Sequence, residues 1–504
     1  MDQSFSRGAG APGAVVAVDD RQLLKLMHWY DGFVVCLANP GFLIASLGAS
    51  IGTLGALGAF VLWTVSMLIA VASNKIYTEP ATMFPDRAGG IAVYAHEGWR
   101  RHFTFVGPMA AVGYWAAWSV VLAIFGITIG SLIQAQWFPN ALWTVHLGLG
   151  GHGVALTLPR IIAVIAIFAV WAFNASGVRP AVWVGYVTGA LLMIPLAVFI
   201  VLPYLTGDFH RSNLTWLVSS GGSLWNSWRL ALVWLYLMGW SAYGVEGAAT
   251  FAPEYKDTTR DTALALRRSA AFSLIVYAFL PIGVGGVLPA DQIAKGALDY
   301  SFYVVEMDKL IGAGANFVLP LLIASFILAM NTATMDGSRA LYGISKSGMT
   351  IKWLSHLNRF HVPSRAMTVD MVFNIAVVLL LNSTIAILAA SNLGYILCHV
   401  FALSAVLLLR RDRPEWPRPL PLSRFWLWVA GVLALANLLF VVVGAPSFKL
   451  TGYGSYKELL IGIGVLVAAC VLYAYRRVVE DREPLVLQDL TPGLPPAGIP
   501  ADIG

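Results

Sequence analysis

Twelve apolar runs occupy the chain between Met27 and Tyr475, and each approaches the length of about 20 residues that a helix needs to cross a bilayer. They are Met27–Gly48, Leu54–Ser73, Gly107–Ile133, Ile161–Ala175, Ala181–Leu205, Leu230–Ala252, Ala270–Leu288, Phe317–Tyr342, Ala366–Leu381, Ile385–Leu409, Trp426–Val443 and Leu459–Tyr475. The ninth and tenth are parted by Asn382–Thr384 alone. With 58% apolar and 12% charged residues, the chain carries about half the charge an ordinary soluble domain needs for its surface. The expectation is an all-α polytopic membrane protein. Cys36, Cys398 and Cys470 all lie inside apolar runs with no metal-ligand spacing, so neither a metal site, a cofactor nor a disulfide framework is expected.

Lysine and arginine set the orientation. With both termini on the cytoplasmic side of the cell membrane, 25 of the 32 basic residues fall in inner segments and 7 in outer ones. Arg267–Arg268, the group Lys346, Lys352, Arg359 and Arg365, and the group Arg410, Arg411, Arg413 and Arg418 share one side. Residues 1–22 and 479–504 read as disordered cytoplasmic tails flanking a transmembrane domain at 23–478. Within that domain, 23–205 and 229–410 form two halves of five spans, and 422–478 adds two more.

Two spans are interrupted. The first carries Ala38-Asn39-Pro40-Gly41-Phe42, where proline removes a backbone donor and clashes with the preceding turn. The sixth carries Trp240-Ser241-Ala242-Tyr243-Gly244-Val245-Glu246-Gly247, three glycines (with Gly239) and a carboxylate in an apolar run. Each is the first span of its half, and irregular backbone at membrane depth survives where it is buried or lines a cavity. Paired interruptions of this kind point to a transport site between inverted repeats, with helices 1 and 6 discontinuous. Half-helix N-termini there would attract a carboxylate, and the opposing carbonyls would suit an ammonium group or a cation.

Four stretches resemble the amino acid–polyamine–organocation superfamily of permeases: Tyr77–Gly98 (YTEPATMFPDRAGGIAVYAHEG), Trp240–Asp257 (WSAYGVEGAATFAPEYKD), Asn331–Gly348 with Val362–Ala366, and Leu407–Leu422 (LLLRRDRPEWPRPLPL). They occur in the family's order over most of Leu24 to Leu422. The resemblance implies ten core helices in two inverted halves, two peripheral helices, and a secondary active transporter that moves amino acids by alternating access, in uptake or exchange. Two positions depart from the family pattern. Asn39-Pro40-Gly41 stands where many members write Gly-Ser-Gly, and Leu192-Met193-Ile194-Pro195 lacks the fifth-span lysine of some proton-coupled members.

The expected substrate-binding residues are Ala38, Asn39, Pro40, Gly41 and Phe42 at the first break, and Trp240, Ser241, Ala242, Tyr243 and Gly244 at the second. Tyr114 and Trp118 of the third span are added as gating aromatics, since a ring covers an apolar side chain or holds an ammonium. Glu246, where helix is expected to resume, is the candidate proton-linked residue, because intramembrane acids are costly and mark function. Asp336 and Arg339, three apart on the eighth span, are expected to pair and close an inner gate. Tyr395 and His399, four apart on the tenth span, share a face and read as packing or polar glue. The expected partners are a small amino acid, the lipid bilayer and a coupling proton or sodium ion, with no nucleic acid. An enzyme is not expected, since His146 and His152 have no acidic or thiol partner nearby. A polyamine or other organic-amine permease, or a transporter-fold nutrient sensor, are the alternatives.

Overall fold

The computed structural model describes residues 23–85, 87–149, 152–297, 300–380, 384–451 and 456–490. The expected tail 1–22, residues 491–504 and the Asn382–Ser383 part of the ninth-to-tenth junction lie outside them. In the first half, α1 (Trp29–Cys36) and α2 (Asn39–Met83) are followed by α3 (Gly90–Trp99), α4 (Val106–Ser119) and α5 (Val121–Trp137). A short hairpin of β1 (Val145–Leu149) and β2 (His152–Leu156), α6 (Leu158–Ala175), α7 (Val178–Ile200) and α8 (Leu202–Thr206) complete it. The second half runs α9 (Leu224–Ala242), a 3₁₀ segment (Tyr243–Glu254), α10 (Thr258–Val287), α11 (Ala290–Lys295), α12 (Ser301–Ile311), α13 (Ala315–Lys346), α14 (Ser364–Leu380) and α15 (Thr384–Asp412). Two further helices, α16 (Arg424–Leu439) and α17 (Tyr456–Tyr475), close the chain.

Nine helical stretches among the described residues are long and apolar enough to cross a membrane. They account for the predicted spans once three local facts are added. The stretch Trp29–Met83 holds both the first and second spans. Gly55, at φ 75° and ψ 162°, breaks α2, and Trp63 Nε1 reaches Ser50 Oγ at 3.0 Å. Thirteen residues of straight helix would hold those side chains about 20 Å apart, so the chain folds back at Gly55. The sixth span is split between α9 and the 3₁₀ segment, and the ninth, α14, is 17 residues long.

Capping sets the starts of two spans that shape the site. The Ser223 hydroxyl accepts the Asn226 N–H at the head of α9, and the Asp257 carboxylate accepts the Arg260 N–H at the head of α10. Burial then sorts the spans: the most apolar window of Val106–Trp137 is 83% buried, that of Leu158–Ala175 and of Glu458–Glu480 only 22%. The third span is therefore core and the fourth and twelfth are peripheral. Their outward residues, such as Ile165, Phe173, Val467 and Val471, are exposed and apolar, as a lipid-facing surface requires.

On the basic side the motif glutamate of the second span acts as a clasp. Glu79, 2% exposed, accepts from Arg410 (Nε at 2.7 Å), Arg418 (Nε at 3.2 Å) and the Leu422 amide (2.6 Å), tying α2 to the exit of α15. The expected disorder from 479 does not begin there. Thr104 N–H donates to the Leu487 carbonyl, Asp489 N–H to the Arg100 carbonyl, and Arg100 Nη2 to Asp489 Oδ2 at 2.5 Å. Backbone pairing with the turn before α4 orders this stretch, which composition alone does not reveal.

Candidate functional site

The two interrupted spans meet in the interior, and their released backbone groups find partners on one another. The first break is a turn at Leu37–Ala38, after which Asn39-Pro40 opens α2 with proline in its first turn, where no N–H is needed. At the end of α1 the Val35 carbonyl accepts the Ala38 N–H at 3.3 Å and also the Thr332 hydroxyl of α13 at 2.9 Å. Asn39 Nδ2 donates to the carbonyls of Ser241 (3.3 Å) and Ala242 (3.5 Å), and Cys36 Sγ to that of Val245 (3.6 Å). The Tyr277 hydroxyl of α10 lies 2.9 Å from the Asn39 carbonyl, 3.0 Å from the Ser241 carbonyl and 2.8 Å from Ser241 Oγ. One phenol therefore joins both breaks.

The second break differs from its expected form. Ser241 and Ala242 remain in α9, and the chain then tightens into twelve residues of 3₁₀ helix from Tyr243 to Glu254. Glu246 thus lies within the tightened segment, not on a resumed α-helix. Gly244 is needed for the close approach: a Cβ there would come 2.8 Å from Asn39 Oδ1 and 3.2 Å from the Phe42 ring.

Aromatic rings cover this junction. Phe42 packs against Trp118 (centroids 5.6 Å) and Trp240 (5.4 Å), and with Tyr395, Ala117 and Val121 these rings enclose a cavity of about 10 Å³. Beyond them a second cavity of about 30 Å³ lies among Ala49, Trp63, Trp234, Met238 and Tyr300. The inner space holds about one water, far less than an amino acid, so this is a closed conformation. Trp240 Nε1 is held by the Ala117 carbonyl at 3.1 Å.

Beneath the rings lie buried carboxylates. Glu246 Oε1 accepts from the Tyr395 hydroxyl (2.7 Å) and from Trp118 Nε1 (3.4 Å). Asp336 Oδ2 accepts from the Tyr114 hydroxyl (2.9 Å), which also lies 3.3 Å from Thr250 Oγ1. Tyr114 therefore sits below the aromatic cavity instead of lining it. The expected Asp336–Arg339 pair is not formed. Arg339, fully buried, grips Glu254 with Nε and Nη2, donates Nη1 to the Met335 carbonyl one turn back, and stacks over Phe251 at 5.2 Å. The guanidinium turns toward the 3₁₀ segment, where Glu254 offers a two-oxygen partner that Asp336, engaged by Tyr114, does not. Directly beside it, Met27 N–H bonds the Glu254 carbonyl (2.9 Å) and Lys256 N–H the Met27 carbonyl (2.8 Å). This seam shuts the basic side.

The amino acid permease family model matches residues 33–470. The chain belongs to that family. At lower similarity it matches the glutamate/serine transporter AimA of Bacillus subtilis, 23% identical over 388 residues, which cover 72% of this chain and 67% of that one. It also matches the D-serine/D-alanine/glycine transporter of Escherichia coli K12, 22% identical over 66% of this chain and 69% of the other. The gamma-aminobutyric acid permease of Bacillus subtilis aligns over 91% of this chain and 94% of its own length at 23% identity. This permease is thus a multi-pass membrane transporter of amino acids and not an enzyme.

Four residues of these buried networks were not among the expected site residues. Tyr277 is one of 18 tyrosines and carries no local signal. Glu254 stood in the quoted sixth-span stretch without being singled out. Tyr395, read as packing or polar glue, donates to Glu246. Asp370, a lone acid in the ninth apolar run, was visible by the same reasoning that picked Glu246, and it proves fully buried, accepting from Trp115 Nε1 at 2.6 Å.

Proposed function

We propose that this permease binds a neutral or weakly polar amino acid at the Leu37–Ala38 and Tyr243–Gly244 junction and couples its movement to a proton carried by Glu246. The reading rests above all on the joining of both breaks by Tyr277, together with the ring contact of Phe42 at the first break with Trp240 at the second. Substrate would part those rings, its ammonium meeting acceptor atoms such as Asn39 Oδ1, which is buried and lacks a donor. Its carboxylate would face the first turn of α2, at the positive end of the helix dipole. Ala38 to Phe42 and Trp240 to Gly244 are the backbone and ring contacts in this reading. The Arg339–Glu254 pair would form the inner gate, on the cytoplasmic side with both termini, in the cell membrane. An organic amine is the second reading, favoured by the bare oxygens of Glu246 and Asp336.

The test is uptake of radiolabelled amino acids and amines into proteoliposomes under imposed proton or sodium gradients. A neutral amino acid should accumulate with an inward proton gradient. Glu246→Gln should still exchange substrate but lose most of the wild-type dependence of transport on pH. Transport of amines alone would overturn the amino acid assignment, and an unaltered pH profile in Glu246→Gln would remove the proton role.

A further inference from the structure

Three carboxylates lie deep in the protein on three different spans: Glu246 on the 3₁₀ segment (1% exposed), Asp336 on α13 and Asp370 on α14 (both 0%). Each has one oxygen hydrogen-bonded and one bare: Glu246 Oε2, Asp336 Oδ1 and Asp370 Oδ2 have no partner. A bare, buried carboxylate oxygen forfeits the hydrogen bonds it would make in water, unless it carries a proton or meets a donor that arrives and leaves.

The bonded oxygens share a scaffold. Tyr114 holds Asp336, Trp115 holds Asp370 and Trp118 holds Glu246, all from α4. The bare oxygens border glycines. A Cβ on Gly247 would lie 3.6 Å from Asp336 Oδ1 and 3.2 Å from the Trp118 ring. A Cβ on Gly337 would lie 3.5 Å from Asp370 Oδ2 and 3.7 Å from Trp118 Cβ. Trp118 thus stands between the spaces that two of the bare oxygens face, while its indole nitrogen binds the third acid. Asn374 supports Asp370 from its own helix by donating to its carbonyl (2.8 Å) and to Ser119 Oγ (3.0 Å).

The other polar groups near this chain are already engaged or carry no charge of the needed sign. Arg339 is held by Glu254, and His399, packed on Tyr395, has Nδ1 2.8 Å from the Tyr77 hydroxyl and Nε2 without a partner. Cys36 bonds the Val245 carbonyl, and Cys398, Tyr243 and Tyr395 contribute a thiol and two phenols. Of the three acids, Asp370 stands nearest the basic end of its own segment. Along their own segments Glu246 stands eight residues from Glu254, about 16 Å of 3₁₀ helix, and Asp336 ten from Lys346, about 15 Å of α-helix. Asp370 stands six from Ser364, about 9 Å.

We propose that Glu246, Asp336 and Asp370 form a proton relay that runs beside the Arg339–Glu254 gate, with Asp370 as the positioning residue that exchanges the proton with the basic side. The inference rests on the proton-coupled reading of Glu246 and extends it to two acids outside the substrate cavity. In each step one proton leaves a carboxyl oxygen and joins a carboxylate oxygen through water entering at Gly247 or Gly337. Charge and protons balance without a further reactant. The relay explains why three acids of one sign are kept on three spans around one tryptophan.

The test separates net proton movement from substrate movement in proteoliposomes. Substrate exchange at equal pH needs no net proton transfer, whereas accumulation driven by a proton gradient does. Asp370→Asn should leave exchange within about twofold of wild type and lower gradient-driven accumulation by about tenfold or more, as loss of a positioned proton carrier does. Wild-type accumulation by Asp370→Asn would overturn the relay while leaving Glu246 coupling intact. If Asp370→Asn loses exchange as well, Trp115→Phe decides, because it keeps the carboxylate and strips its indole donor. The relay then requires a displaced pH profile of accumulation with exchange preserved, and an unchanged profile overturns it. A wild-type protein that exchanges substrate but ignores a proton gradient would instead defeat the coupling reading itself.

Discussion

The two breaks reach the same end by opposite routes. The first is abrupt: α1 stops at Cys36, two residues turn, and Asn39-Pro40 starts a new helix whose first turn tolerates proline. The second is gradual, with no residue leaving helical space between Ala242 and Glu254, only a change from α to 3₁₀ geometry over twelve residues. A break written by proline is local and survives whatever packs around it. A 3₁₀ run this long exceeds the usual three or four residues and persists because its neighbours hold it. Here those neighbours are Cys36, Tyr395 and the Arg339–Glu254 pair. The first break is thus a fixed hinge, and the second is the deformable element.

If that contrast is right, the largest effect should come from the anchor at the far end of the 3₁₀ run. Arg339→Ala leaves Glu254 buried and unpaired, which costs about 3–5 kcal/mol. Thermal unfolding in detergent should show the loss, and native Cys36 should label faster with a small thiol reagent in a protein lacking Cys398 and Cys470. Unchanged melting and labelling would mean that the seam at Met27 and Tyr255 holds the basic side without the ion pair.

Next in size is a direct contest between the breaks. Gly244→Ala forces a Cβ against Asn39 Oδ1 and should cost about 1–3 kcal/mol, read as weaker substrate binding. Pro40→Ala, at a position where proline is merely compatible, should cost about 1 kcal/mol or less. A larger loss for Pro40→Ala than for Gly244→Ala would reverse the assignment of hinge and deformable element.

An effect no larger than that of Gly244→Ala belongs to the rings above. Trp240→Ala should weaken binding of substrate by about 0.5–2 kcal/mol, a few-fold to about thirty-fold, if its face meets the ligand. Binding equal to wild type in a folded Trp240→Ala protein would return the ring to packing against Phe42 and the Ala117 carbonyl. A cysteine at lipid-facing Ile275, where a water-soluble reagent labels poorly, serves as the low-labelling control for the accessibility measurements.

By itself the sequence determined the solvent, the spans, the place of both breaks and the presence of an acid at the second. These are consequences of short-range chemistry: about 20 apolar residues must be helix in hydrocarbon, proline must end a hydrogen-bonded turn, and a membrane-depth glutamate must be buried in protein. The family pattern named the same stretches, down to the glutamate of YTEP that clasps Arg410 and Arg418. Which side chains answer one another across those stretches was decided by tertiary structure alone. Arg339 and Asp336 share a helix face, yet the arginine pairs with Glu254, 85 residues away, whose two oxygens receive two of its nitrogens. Tyr277 became the tie between the breaks because α10 packs along α2, which no local pattern around a lone tyrosine encodes. The same holds for the form of the second break. Glycine permits close approach, but whether the backbone answers with a loop or a tightened helix depends on how many of its carbonyls distant donors satisfy.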